Sequence, residues 1–494
     1  MKSLALRTAV AFAALGLIGQ TPAALAQSAP ALEARIARIE SGLRFPVTIR
    51  GKTPARMRLD QRMLVHKVPG VSIAVIDSFR IVWARGYGVR EAGGSDSVTT
   101  ETLFQAASIS KPVAALAALR LVQEGVLDLD EDVNRKLKSW KIPESPFTAT
   151  QPVTLRRLLS HSAGLTVHGF RGYAATESVP TFLQIVNGES PANSRAIRVD
   201  TFPGARWRYS GGGYTVMQQL LIDVSGKPFS ELMRTRVLEP LGMKHSTYEQ
   251  PLPSHLLGTA ATGHRSDGTL VPGKWHTYPE MAAAGLWTTP SDLARYAIQV
   301  QLAAAGRSNA VLSQRTATQM LTVQSGSYGL GPGVEGEGRD ARFSHGGANE
   351  GFRCFFIAYP GRGQGAVIMT NSDGGGALAQ EILRAIAEEF NWPSQRPVEK
   401  TVVAVSPETP KRIAGRYVFE TAPNVFITIT ADSGRVQAEV TGQFKTEIYP
   451  ESETQYFSVV RDVELTFEPE EAGKITSVVL RARSGGTFKA KRVE

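Results

Sequence analysis

Ser108 and Lys111 stand three residues apart in Ala107-Ser108-Ile109-Ser110-Lys111, and the run that follows, Pro112 to Glu124, is helical in pattern up to Gly125. The spacing predicts that Ser108 opens a helix. Residues three apart in a first turn share a face, so the amine reaches the hydroxyl, and the free N–H groups of that turn favour a developing negative charge. Pro112 agrees, because an early helical position needs no N–H. A serine hydroxyl is a weak nucleophile at neutral pH and needs a base. Lys111 can act as that base only if burial or a neighbouring positive charge lowers its pKa. About one S-x-x-K match is expected by chance in a chain of this length, so the pair needs company.

Two later stretches supply it. In Arg208-Tyr209-Ser210-Gly211-Gly212-Gly213-Tyr214 a tyrosine enters a glycine-rich turn directly before a helical run. Glycines there let the backbone approach a substrate, and a phenol beside an ammonium ionises more easily; a core tyrosine over a flexible turn is the other reading. In Ser344-His345-Gly346-Gly347-Ala348-Asn349, Gly346 and Gly347 precede the strand-like Phe352 to Phe356. On an edge strand they leave N–H groups free, one of which can face the Ser108 N–H across an oxyanion, whereas a plain hairpin is the alternative.

Other matches are weaker. Ser160-His161-Ser162-Ala163-Gly164 approximates a nucleophile elbow, but its first residue is not glycine and a helix precedes it where a strand is required. Gly331 to Gly336 spells G-x-G-x-x-G with proline in the turn and no helix after it. Asp128 to Asp132 imitates a calcium loop but has Val133 in place of glycine and Ser139 in place of glutamate. No H-E-x-x-H occurs, so neither metal nor cofactor is expected.

The elements that must position these residues fall into an α+β pattern. Two strand-like runs, Val71–Ile76 and Arg80–Gly88, form a hairpin; helical spacing dominates from Ser108 to about residue 250; strands return at Tyr328–Gly331, Cys354–Tyr359 and Gly365–Thr370, before a helix from Ala377 to Phe390. Strands at both ends with helices between them predict one domain over 56–393. Residues 27–55 read as a leader and the proline-bearing 394–410 as a linker. Eight short alternating runs in 411–494 predict a small antiparallel β-barrel or sandwich.

The chain has 494 residues, 42% of them hydrophobic and 20% charged, ordinary for a globular protein with a large core. Residues 1–26 read as a signal peptide, with Lys2 and Arg7 before an apolar core and Ala24-Leu25-Ala26 before Gln27, and no later run reaches spanning length; a periplasmic or secreted protein without a membrane span is expected. Its single cysteine, Cys354, excludes an internal disulfide and reads as a packed thiol. The net charge of +10 is spread without a basic run or stripe, so nucleic acid is not an expected partner.

Taken in order, Ser108-Ile109-Ser110-Lys111, Tyr209-Ser210-Gly211 and His345-Gly346-Gly347 resemble the motifs of the penicillin-recognising serine hydrolases: class C β-lactamases, D-Ala-D-Ala carboxypeptidases and family VIII esterases. Supporting stretches are Pro69-Gly70-Val71, Thr102-Leu103-Phe104, Leu158 to Leu165, Pro240-Leu241-Gly242-Met243 and Ala284 to Leu293. The resemblance covers 56–393 and implies a β-lactamase-like fold, with the tail similar to a β-rich domain appended in some members. It implies Ser108 as the acylated nucleophile, Lys111 and Tyr209 as the proton-transfer pair, and the N–H groups of Ser108 and Ala348 as the oxyanion hole. His345 stands where β-lactamases carry a lysine and Gly211 where they carry an asparagine, the groups that hold a substrate's carboxylate and amide. Both losses weaken lactam binding more than the chemistry. The expected substrate is therefore a small ester or a peptide or amide, bound along Gly211, His345, Gly346 and Gly347. Action on β-lactams or cell-wall peptides is the alternative. A non-catalytic cell-wall-peptide binder, or a protein acting through its tail, is disfavoured by the joint presence of Ser108, Lys111 and Tyr209.

Overall fold

The computed structural model describes residues 29–494 except 433, 444, 470–473 and 483–485. The expected signal segment lies outside the described residues. The chain begins with α1 (Ala29–Glu40), β1 (Val47–Ile49) and α2 (Leu59–Val65), then enters the hairpin of β2 (Gly70–Asp77) and β3 (Arg80–Gly88). β2 is apolar along almost its whole length because both of its faces are covered. Val71, Ile73 and Val75 pack into one core, Ala74 and Ile76 into the other.

After β4 (Phe104–Gln105) the chain is helical: α3 (Ser110–Gln123), α4 (Leu155–Leu159), α5 (Phe182–Asn187), α6 (Gly211–Ser225), α7 (Phe229–Met233) and α8 (Met281–Ala284). α3 is buried on nearly every side, which its small alanines at 114, 115, 117 and 118 permit. β5 (Trp287–Thr288) pairs with β4, and α9 (Pro290–Ala304) and α10 (Gln314–Met320) complete the helical part. The sheet is then finished by β6 (Gly333–Glu335), β7 (Arg342–Asn349), β8 (Phe352–Tyr359) and β9 (Gln364–Thr370), in the all-antiparallel order β3-β2-β9-β8-β7-β6. Tyr328–Gly331, expected as a strand, is irregular instead, with Tyr328 in isolated bridges to Ser325 and Gly333, because Gly331 adopts φ +122° and Pro332 follows it. A Cβ on Gly331 would lie 3.1 Å from Pro112 Cα, so the glycine is what lets this turn lie on the start of α3.

α11 (Gly375–Glu389) covers the other face of the sheet together with α1 and α2. Its Glu381, almost fully buried, is ion-paired with Arg62 at 2.6 Å. The segments expected as leader and linker meet each other: β1 pairs in parallel with β10 (Val398–Lys400). The turn helix α12 (Thr409–Ile413) then leads into β11 (Gly415–Phe419), β12 (Ala422–Asp432), β13 (Arg435–Val440), β14 (Thr446–Pro450), β15 (Gln455–Ser458), β16 (Val463–Pro469), β17 (Ile475–Ala482) and β18 (Thr487–Arg492). These eight strands close into an antiparallel barrel when β11 pairs with β18, so of the two architectures expected for the tail the barrel is the one formed. Lys400 reaches Glu451 and Glu464 of the barrel, each at 2.7 Å. No described helix is long and apolar enough to cross a membrane.

Candidate active site

Ser108 sits in a single 3-10 turn, Ala107–Ile109, that runs directly into α3. The turn is fixed from several sides. Ala106 N donates to Leu286 O at 2.8 Å beside the β4–β5 pair, Ser110 Oγ donates to Ala107 O at 2.5 Å, and Tyr248 donates its hydroxyl to Ser110 O at 2.7 Å. Ala107 takes φ +50°, a left-handed conformation that costs a non-glycine residue on the order of 1–3 kcal/mol and persists only where the surroundings enforce it. β7 crosses this turn closely: a Cβ on Gly347 would stand 2.2 Å from Ala106 O. The glycine therefore admits the strand edge to the base of the serine.

Lys111, 2% exposed, places Nζ 3.1 Å from Ser108 Oγ and donates to Ala283 O of α8 at 2.7 Å. Burial lowers its pKa to about 7. Tyr209 is half-buried in the site; desolvation raises its phenol well above the ordinary value and outweighs a hydrogen bond with Ser108 that acts in the other direction. Lys111 Nζ lies 5.0 Å from the centre of the Tyr209 ring. The arrangement is thus a neutral phenol and a lysine near half-protonation at neutral pH, both at one serine hydroxyl.

Two histidines complete the buried floor. His345 is lowered to about 3, first by burial and then by Lys111; its Nδ1 donates to Gly346 O at 2.6 Å, which leaves Nε2 as an acceptor without a partner among the described residues. His161 is lowered well below its usual range by burial and by Lys111, accepts Ser210 N–H at Nδ1 at 3.1 Å, and stacks 4.2 Å from Tyr209. His345 therefore occupies its motif position without a charge.

Ser108, Tyr209, His345, Gly346, Gly347 and Ala348 line one cleft of about 460 Å³. β6 pairs with β7 only through Ser344, so the edge of β7 from His345 onward is free, with Gly346 and Ala348 exposed along it. Trp207 stacks on Tyr328 at 5.4 Å to form an aromatic wall, and Arg353, held by Asp373 at 2.8 Å, is the charged residue on the cleft lining. Gly211, expected as a substrate contact, is not on this wall. It is buried at the start of α6, its N–H donates to His168 O at 3.0 Å, and a Cβ there would stand 3.1 Å from the Phe170 ring. The segment through His168 and Phe170 fills the space into which a side chain at 211 would project. A larger hollow of about 1020 Å³ between α1, α2 and β3 contains none of these residues.

The remaining candidates fall outside the chemistry. Ser162 is buried and shares a hydrogen bond with Ser160 at 3.0 Å, away from the cleft lining. Cys354 borders the cleft but donates to Gln105 O at 3.2 Å, and burial pushes its thiol up to about 12. Asp130 is taken by Arg156 in a bidentate pair at 2.7 Å. Sequence reasoning passed over the ring contact of His161, which its type and position beside Ser162 could have suggested. It also passed over Trp207 and Tyr328, and Glu280, for which no sequence signal exists. Glu280 precedes α8, the helix whose Ala283 and Ala284 carbonyls receive Lys111 and Asn349. Neither of its carboxyl oxygens has a partner among the described residues, and burial raises its pKa to about 8.

The chain belongs to the beta-lactamase family, whose model matches residues 56–390. It is 24% identical over 428 residues to Penicillin-binding protein 4* of Bacillus subtilis, an alignment covering 81% of this chain and 90% of that one. Among solved structures it is similar to an octameric penicillin-binding protein homologue from Pyrococcus abyssi, with TM-score 0.57 and 22% identity over 88% of this chain and 98% of the other. It is similar, too, to the D-amino acid amidase of Ochrobactrum anthropi in complex with D-phenylalanine, with TM-score 0.55 and 22% identity over 67% and 97%. Fold and family together make the protein a serine hydrolase.

Proposed function

We propose that the protein hydrolyses small esters and amide or peptide bonds through an acyl-enzyme on Ser108. The observation that carries this reading is the 3.1 Å contact between Ser108 Oγ and the buried Lys111 amine, whose pKa burial brings to about 7. As a neutral amine, Lys111 takes the proton of Ser108 while Oγ attacks the substrate carbonyl. The oxyanion is held by the N–H groups of Ser108 and Ala348 at the start of α3 and on the free edge of β7. Tyr209, a neutral phenol, protonates the leaving alkoxide or amine and regains its proton by relay from Lys111. Water then attacks the ester carbonyl with the same groups in reverse, and Ser108 recovers its proton.

Substrate choice follows from what the cleft offers. The motif position that holds a lysine in β-lactamases carries a neutral histidine here, and residue 211 offers no amide to a lactam. The free β7 edge favours an extended acyl or peptidyl group lying along Gly346 and Ala348. The amidase and penicillin-binding proteins among the relatives support the amide and peptide side of the reading. Measuring kcat/KM on nitrophenyl butyrate, a D-amino-acid nitroanilide and nitrocefin tests it. The ester or anilide is expected to exceed nitrocefin by at least about 100-fold, since each lost polar substrate contact is worth roughly 1.5–3 kcal/mol. Nitrocefin as the preferred substrate would reverse the assignment.

A further inference from the structure

The aromatic wall beside Ser108 begins with the spacing of two residues. Residues 207–209 belong to no helix or strand, and Ser210 is extended at the entry to α6. Trp207 and Tyr209, two apart on this stretch, bring their ring centres to 6.5 Å. Tyr328 joins them from a distant loop: it stacks on Trp207 with the two planes 28° apart and stands 6.2 Å from Tyr209. A Cβ on Gly326 would lie 2.9 Å from Trp207 Cγ, so glycine is what lets that loop rest on the indole. The indole is thereby held in place, yet Trp207 remains 40% exposed and lines the cleft. A fixed ring that stays open to a cleft is the usual wall of a small-molecule site.

The rest of the lining narrows the ligand. Among the described residues it carries six rings, those of His168, Trp207, Tyr209, Tyr328, His345 and Phe355, and no carboxylate; its one cation, Arg353, is engaged by Asp373. His345 is neutral. An ionic group placed here loses water without gaining a free counter-charge, whereas a planar apolar group gains both burial and ring contacts. Position then assigns the wall to one side of the scissile bond. In the reading proposed above the acyl group lies along Gly346 and Ala348, and Tyr209, beside which Trp207 and Tyr328 both stand, is the acid for the leaving group. Resting on that reading, we infer that Trp207 and Tyr328 form a leaving-group subsite that selects esters and amides of uncharged arylalkyl alcohols and amines. As the bond from Ser108 Oγ to the acyl carbon forms, the bond to the leaving oxygen or nitrogen breaks. That atom takes the Tyr209 proton while its ring rests on the wall.

The test uses the full chain and holds the acyl group constant. kcat/KM is measured on the acetates of 2-phenylethanol, 2-cyclohexylethanol and ethanol, whose leaving oxygens are similar in basicity and which share one acetyl-enzyme. The phenyl ester is expected to exceed the ethyl ester at least about tenfold, through burial, and the cyclohexyl ester at least about threefold, through ring contacts. Trp207→Leu removes the ring and keeps an apolar side chain; it is expected to bring the phenyl-to-cyclohexyl ratio within about twofold of one, and Trp207→Phe to recover the preference. Methyl 3-phenylpropanoate against methyl propanoate moves the ring to the acyl side. A Trp207→Leu effect on that ratio as large as on the leaving-group ratio would overturn the assignment of side. If Trp207→Leu does not fold, the wild-type acetates still decide. Phenyl and cyclohexyl esters cleaved equally, or neither cleaved, with Ser108 still labelled by a fluorophosphonate would overturn this inference alone. A Ser108 that is neither labelled nor able to turn over any of the acetates would overturn the acyl-enzyme reading, and this inference with it.

Discussion

Lys111 and Gly211 act on the cleft in opposite ways, one by its charge and the other by its lack of a side chain. Lys111 is stripped of water and has no carboxylate partner among the described residues, which is why its amine can be a base near pH 7. At Gly211 the absence of a side chain is not an open space, because Phe170 and the His168 carbonyl stand where one would go. Restoring the β-lactamase-like asparagine therefore cannot restore its function. Gly211→Asn is expected to destabilise the fold by about 1–3 kcal/mol, as overpacked core sites do, and to leave nitrocefin hydrolysis no higher than in the parent. Chemical denaturation and nitrocefin turnover check both parts, and a gain in turnover without loss of stability would show that the residue does face substrate.

At the scale of elements, α8 links the proposed base to the core. Its carbonyl end receives Lys111 and Asn349, while Glu280 lies unpaired at its start. Burial raises Glu280 from its usual 4.5 to about 8, so the folded protein holds this proton over a pH range in which the unfolded chain has released it. The consequence has a definite sign: the group costs nothing below about pH 4.5, removes stability progressively as pH rises from there towards 8, and exerts its full effect above 8. Glu280→Gln, which cannot ionise, is expected to flatten the fall in melting temperature between pH 5 and pH 9 and to be more stable than the parent at pH 9. Parallel curves for the two proteins would contradict this. Ser108, Lys111, Tyr209 and His345 were legible in the sequence because each lies in a short motif whose residue types carry the signal. Glu280 and the ring of His161 were not, because their burial is made by helices distant in the chain. The glycine at 211 was visible, but what fills its place comes from the loop ending at Phe170. The eight alternating runs of the tail could be read directly, whereas closure could not, since it depends on the first strand pairing with the last.

Across the whole molecule, the cleft at Ser108 and the barrel are separate in their linings and joined through β10. The barrel has its own core, around Tyr417, Tyr456 and Phe467. The contacts that tie it to the rest include Lys400 with Glu451 and Glu464, and Val403 N donating to Pro450 O at 3.1 Å. β1 needs β10, so the cut that respects the fold falls after Thr401 and not at Pro393. A chain ending at Thr401 is expected to stay soluble and keep its activity on nitrophenyl butyrate within about threefold, because no residue lining the cleft is lost. Insolubility or loss of that activity would make the barrel part of the catalytic fold.

The central claim is that Ser108 is acylated with Lys111 as its base, and the most direct measurement is the rate of covalent labelling by a fluorophosphonate as a function of pH, read by intact mass with the labelled peptide identified. The account predicts a single adduct on Ser108, none in Ser108→Ala, and a rate that rises through about pH 7 as the Lys111–Tyr209 pair loses its proton. Undiminished labelling of Ser108→Ala, or a wild-type rate independent of pH between 5 and 9, would contradict it.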